Sequence, residues 1–204
     1  TQEHSSAASD VYKRQSQGCI EENAKLLARY AKIVQKNNMV PIVEPEVLMD
    51  GSHSIEECYD ATSRTLKSLF QNLEEENVDI TGTILKPNMV TPGSECQEKI
   101  GVETVAKETL RCLHECVPVS LPAITFLSGG QSETVSTEHL DIMNKIGGFP
   151  WKLSFSYGRA LQAGALKAWL GKSENVDTAQ SAFSHRALMN KKAALGQWSK
   201  DLEV

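Results

Sequence analysis

Three residues in this chain have the types and spacing for covalent amine chemistry. Lys86 follows the apolar run Thr83-Ile84-Leu85, and Glu44 and Glu46 follow the run Val40-Pro41-Ile42-Val43. A lysine at the end of a buried strand is partly stripped of water, which disfavours its ammonium form. A neutral amine there attacks a carbonyl and forms a Schiff base. Forming the iminium expels water from a carbinolamine and needs an acid. Breaking a carbon–carbon bond next to it needs a base for the departing hydroxyl proton, and a carboxyl group of raised pKa serves both steps. A second pattern suits an anion. Ser128-Gly129-Gly130 and Ser156-Tyr157-Gly158-Arg159 each follow an apolar run and precede a helical one. Glycines let backbone N–H groups approach phosphate oxygens, and the following helix adds its positive end. Arg159 can grip such oxygens in a bidentate manner.

The elements that must carry these residues alternate. An apolar periodicity over 22–35 predicts a helix with Leu27, Tyr30, Ala31 and Val34 on one face, closed by Asn37-Asn38. Ser54-Ile55-Glu56-Glu57 is a capping box that opens a helix to about Glu76, with an inward stripe from Ile55 to Leu73. Further helices are expected over 97–116, from Ser132 to Ile146, from Arg159 to near Gly171, and from a Ser173 cap to Leu195, the last with Val176, Ala179, Phe183 and Leu188 inward. Strands are expected over 39–46, 83–85, 123–127 and 151–155. Four strands alternating with helices make an α/β fold with a parallel sheet. Glu44 to Lys86 and Lys86 to Ser128 are both 42 residues, and Ser156 follows 28 residues later. Each lies at the C-terminal end of its strand, where barrel enzymes carry their chemistry. Glu44 and Lys86 can approach one another if their strands are neighbours, about 4.8 Å apart.

Composition narrows the partners. With 40% hydrophobic and 23% charged residues the chain reads as a soluble globular protein, with no apolar run near the length of a membrane span. The formal charge of −5 and the lack of a basic stripe argue against nucleic acid. Five cysteines, odd in number and without zinc spacing, fit a reducing, cytoplasmic setting, and Cys112 and Cys116 read as helix packing. The histidines are scattered, so no metal site is expected. Residues 1–19 are polar and aperiodic; they read as a poorly ordered leader and admit a non-native origin. Residues 20–199 form the folded unit, and 200–204 a short terminal end.

Four motifs together carry a family resemblance: Val40-Pro41-Ile42-Val43-Glu44-Pro45-Glu46, Gly82-Thr83-Ile84-Leu85-Lys86-Pro87-Asn88-Met89-Val90, Ile124-Thr125-Phe126-Leu127-Ser128-Gly129-Gly130-Gln131-Ser132 and Phe155-Ser156-Tyr157-Gly158-Arg159-Ala160-Leu161. From about Ile20 to Trp198 the chain resembles the class I fructose-bisphosphate aldolases. The resemblance implies a (β/α)8 barrel of which this chain is the C-terminal half, the last four βα units. It implies that Lys86 is the Schiff-base lysine, Glu44 the carboxylate that handles protons while the Schiff base forms, and Glu46 its neighbour. Ser128, Gly129, Gly130, Ser156, Gly158 and Arg159 match residues that hold a substrate phosphate. The implied reaction is reversible cleavage of fructose 1,6-bisphosphate to dihydroxyacetone phosphate and glyceraldehyde 3-phosphate, with no metal or other cofactor because the iminium is the electron sink. A cytosolic homotetramer is implied for the full-length protein.

The family's first four strands, with an aspartate and further lysines of the site, have no counterpart here, nor has its C-terminal tyrosine. The expectation is therefore a fragment that folds poorly or self-associates alone and has little activity. Two rivals stand beside the aldolase reading. One is a non-catalytic fragment that keeps only a phosphate-binding or protein-interaction role; the other is a different Schiff-base barrel enzyme. Intact Lys86 and Glu44 favour the aldolase, and the missing strands favour the binding fragment.

Overall fold

A computed structural model describes residues 16–203. Residues 1–15 of the expected leader lie outside the described residues, while 17–19 form the first turn of a helix. In chain order the elements are α1 (Gln17–Lys36), β1 (Ile42–Val43), α2 (Ile55–Glu75), β2 (Ile84–Leu85), α3 (Val102–Cys116), β3 (Ala123–Phe126), α4 (Glu133–Ile146), β4 (Lys152–Phe155), α5 (Arg159–Trp169) and α6 (Val176–Ala194). The four strands form one parallel sheet in the order β1-β2-β3-β4. Ile42 pairs with Ile84, Ile84 with Ala123, and Ala123 with Lys152. Parallel neighbours joined through helices are four consecutive βα units of a barrel, the architecture expected.

Side-chain alternation decides which face is covered. Val43, Leu85, Ile124, Phe126 and Leu153 point one way and are buried beneath the helices. Ile42, Ile84, Thr125 and Ser154 point the other way, and Ile42 is 44% exposed. Helix α2 is the largest contributor to the core, with Leu66, Leu69 and Leu73 fully buried. Its capping box is complete: the Ser54 hydroxyl accepts from Glu57 N, and the Glu57 carboxylate accepts from Ser54 N. All five cysteines are free, with Cys112 and Cys116 buried in α3.

Several boundaries differ from the sequence reading. Strand β1 is confined to Ile42–Val43, because Pro41 and Pro45 supply no N–H to a ladder. Helix α3 starts at Val102, with Gly101 at its N-cap, since residues 97–100 carry no capping side chain. Ser173 opens a 3₁₀ turn, and α6 begins after it at Val176. Tyr30 is exposed, and α1 buries Ile20 together with Ala24, Ala28 and Ala31, whose small side chains let it lie close to α2.

The largest correction concerns α6. Val176, Phe183 and Leu188, expected inward, are exposed, while Arg186, Met189, Asn190 and Ala193 are buried. The buried polar residues have partners. Arg186 donates to both Glu203 oxygens at 2.8 and 2.6 Å, and Asn190 Oδ1 accepts from Thr137 Oγ1 at 2.6 Å. Asn190 Nδ2 has no partner, but the paired Arg186 and Asn190 Oδ1 offset much of the cost of burial, so the apolar stripe does not decide the orientation.

Candidate active site

The lysine sits where two proline-stopped strands end side by side. Lys86 N donates to Val43 O at 2.8 Å, the last ladder bond between β1 and β2, because Pro45 has no N–H to return to Lys86 O. Adjacent parallel strands in this register bring Glu44 opposite Lys86, and Lys86 Nζ lies 2.9 Å from Glu44 Oε1. Both side chains are half-buried, at 21% and 29% exposure. The approach expected of neighbouring strands is found: β1 pairs with β2, and the amine has a carboxylate in ion-pair contact. Attack on a carbonyl requires the amine without its extra proton, and this contact gives that proton a place to go.

Glu46 is the carboxyl whose pKa is displaced. Burial raises it above the ordinary carboxylate range, the Glu44 charge raises it further, and Lys86 and Arg159 pull the other way. A carboxyl so held keeps its proton at a pH where an exposed glutamate has lost it.

The anion cradle comes from the next two strand ends. Gly129 (φ 53) and Gly130 (φ 84) turn the chain through the left-handed region directly after β3. Gln131 N returns to Ser128 O at 3.0 Å, and Ser132 then caps α4 by accepting from Val135 N. After β4, Tyr157 turns away from the cleft and its hydroxyl donates to Ser136 O at 2.8 Å, locking this loop to α4. Gly158 then caps α5 with no side chain over the first turn. The two loops meet: a Cβ built on Gly130 would stand 3.8 Å from Arg159 Nη2.

One cleft of ≈ 830 Å³ joins these parts, lined by Glu44, Glu46, Lys86, Ser128, Gly129, Ser156, Gly158 and Arg159 among others. Of the residues singled out in the sequence, only Gly130 is outside this lining, at the exposed rim beside Arg159. Sequence reasoning missed Gln162, Ala163 and Leu166, which also line the cleft. The available signal was helical spacing, since Gln162 stands one turn beyond Arg159. Among the described residues no three His, Cys, Asp or Glu side chains gather to hold a metal ion. Among the described residues no helix is long and apolar enough to cross a membrane.

These features define an α/β protein built of barrel units, with a lysine–carboxylate pair and an anion cradle sharing the strand ends. Known proteins place it more closely. The family model described as fructose-bisphosphate aldolase class-I matches residues 8–204, starting inside the segment that composition sets apart. Cytosolic fructose-bisphosphate aldolase 4 of Arabidopsis thaliana is 53% identical over 190 residues, 93% of this chain and 48% of the relative. Fructose-bisphosphate aldolase B of Bos taurus is 53% identical over 180 residues, 88% of this chain and 50% of the relative. A solved structure of the Plasmodium falciparum aldolase superposes with a TM-score of 0.91 at 46% identity, covering 95% of this chain and 57% of that one. The chain belongs to the class I fructose-bisphosphate aldolase family, and it spans about half the length of the curated relatives it matches.

Proposed function

We propose that this chain carries the Schiff-base and phosphate-binding part of a class I aldolase, which cleaves fructose 1,6-bisphosphate reversibly to dihydroxyacetone phosphate and glyceraldehyde 3-phosphate. The observation that carries the reading is the 2.9 Å Lys86–Glu44 contact inside a cleft also lined by Ser128, Gly129, Ser156, Gly158 and Arg159. The cradle, with Gly130 at its rim, holds the phosphate beside the ketone. Lys86 passes its proton to Glu44 and adds to the ketone carbon. Glu46, protonated more readily than an exposed carboxyl, helps expel water as the iminium forms. The iminium accepts the electron pair of the bond between the α and β carbons as a base takes the β-hydroxyl proton. Protonation and hydrolysis then free the second product and restore Lys86.

Turnover of the whole bisphosphate belongs to a polypeptide with all eight βα units. For that protein we propose a cytoplasmic homotetramer, in keeping with the family resemblance and with the Arabidopsis relatives named as cytosolic.

The test is to incubate the chain with dihydroxyacetone phosphate and borohydride and to map the adduct by mass spectrometry. An adduct on Lys86, lost in Lys86→Met, supports the reading. Phosphate binding without an adduct would move the chain to a non-catalytic binding role, and an adduct spread over surface lysines would refute the assignment.

A further inference from the structure

We infer that Asn88 is a positioning residue that fixes the Glu46 segment relative to Lys86. This rests on the aldol reading above and extends it to a residue outside the cleft lining. Asn88 stands two residues after Lys86 and is 5% exposed. Its Oδ1 accepts from Val47 N at 3.0 Å, and its Nδ2 donates to Thr62 Oγ1 at 3.0 Å and to Met89 O at 3.1 Å. Val47 directly follows Glu46. One amide therefore joins the loop after β1, the loop after β2 and helix α2.

Its orientation is forced. Val47 N–H only donates and Met89 C=O only accepts, so a flipped amide would set donor against donor and acceptor against acceptor. The ladder between β1 and β2 cannot do this work. It ends at the Lys86 N–Val43 O bond, because Pro45 has no N–H to extend it, while Pro87 faces β3 and accepts there from Leu127 N. The backbone ties farther out begin only at Gly93 N–His53 O. Asn88 bridges the interval between them, the interval that holds both Glu46 and Lys86. It contacts neither side chain through a hydrogen bond, so it acts through the backbone. Thr109 provides the contrast: its hydroxyl accepts from Val90 N at 2.9 Å and pins the same loop to α3, without reaching the Glu46 segment.

The test compares the parent chain with Asn88→Ala, Thr62→Val and Thr109→Val. The first readout is the Glu46 titration, followed by carboxyl-labelled glutamate NMR and assigned with Glu46→Gln. Glu44, Lys86, Arg159 and Asp50 are the charged groups that act on Glu46, and none is altered. Asn88→Ala should strengthen Glu46 as an acid by roughly threefold or more as the segment opens to water. The second readout is the borohydride-trapping rate on Lys86, expected to fall roughly tenfold to a hundredfold. Thr109→Val should lower stability while moving neither. Equal changes in Asn88→Ala and Thr109→Val, or none in either, would overturn the positioning role. If Asn88→Ala does not fold, Thr62→Val removes one anchor of the same amide and should shift Glu46 in the same direction. The two readings fail separately. A parent without an adduct refutes the aldol reading and leaves the Glu46 titration to decide on Asn88. An adduct that forms equally fast in Asn88→Ala refutes the positioning role alone.

Discussion

Replacing Gly93 with alanine should destabilise this protein more than its small size suggests. A Cβ on Gly93 would stand 2.2 Å from Gly51 O, 2.7 Å from Gly51 C and 3.0 Å from His53 N. The Gly93 backbone is outside the left-handed range, so contact and not conformation sets the cost. An unstrained carbon–oxygen contact is about 3.3 Å, so the atoms must separate by roughly 1 Å. Both sides of the contact are tied. Gly51 O accepts from Glu95 N at 2.8 Å, and Gly93 N donates to His53 O at 2.9 Å. A 1 Å move takes either bond past its useful length. Losing one or both costs about 2–4 kcal/mol, and for a chain of this size that lowers the melting temperature by roughly 5–15 °C. Gly101→Ala is the control. Its Cβ would meet nothing within 4 Å and its φ is −71°, so the expected change is within about 2 °C. Thermal melts followed by circular dichroism decide the matter. If Gly93→Ala melted within about 2 °C of the parent, the close-approach argument would be wrong.

Three further outcomes follow from buried polar groups. His139 is buried with Nδ1 2.6 Å from Gln131 Oε1, and burial holds its pKa down to about 4. Its folded pKa lies below the unfolded value of about 6.5, so its contribution is complete above that pH and is lost as pH falls toward 4, on the order of 3 kcal/mol. Urea midpoints at pH 7.5 and 4.5 should show this slope in the parent and a shallower one in His139→Phe. Arg186→Met should cost about 3 kcal/mol, because it leaves the partly buried Glu203 carboxylate without its cation and with Trp198 Nε1 as its remaining hydrogen-bond donor, and the double change with Glu203→Gln should recover much of that in urea unfolding. Glu46→Gln should slow Schiff-base trapping on Lys86 by about a hundredfold, and the parent rate should decline as pH rises through the Glu46 titration, which sits above the usual carboxylate range. A parent rate that is flat with pH would remove Glu46 from the acid role.

What the sequence conveys about this fold is mostly local. The Ser54 capping box, the α2 stripe and the strand-end positions of Glu44, Lys86, Ser128 and Ser156 depend on short-range spacing, and each is found in place. Helix α6 shows where spacing fails. Its apolar residues are spread around the helix, and its orientation follows from polar pairs that arise only in the folded chain: Arg186 with Glu203, and Asn190 with Thr137. Asn88 escapes notice for the same reason, since its partner Thr62 is 26 residues away and Val47 is 41 away. The division of labour between the two glutamates was also illegible. Side-chain alternation puts Glu44 and Glu46 on one face, but only the three-dimensional arrangement separates the one that meets Lys86 from the one whose pKa burial raises.

The placement of these groups bears on how much chemistry can be local to this chain. The lysine, its carboxylates and both walls of the anion cradle come from four consecutive strand ends in one sheet, and the loops are tied to one another or to helices within that sheet: the two post-strand loops through Asn88, and the β4 loop through Tyr157 and Ser136. None of these ties crosses the open edges at β1 or β4. Under the proposed function these parts alone bind a phosphorylated ketone and condense it with Lys86, so trapping should survive in this chain even where bisphosphate turnover does not. On that proposal the later steps of cleavage fall to groups beyond the open face, where Ile42 and Ile84 meet no opposing strand among the described residues. Trapping and turnover should therefore separate. A chain that traps dihydroxyacetone phosphate at Lys86 but leaves the bisphosphate intact is the expected outcome, and a chain that does neither while remaining folded would refute the Schiff-base role proposed for Lys86.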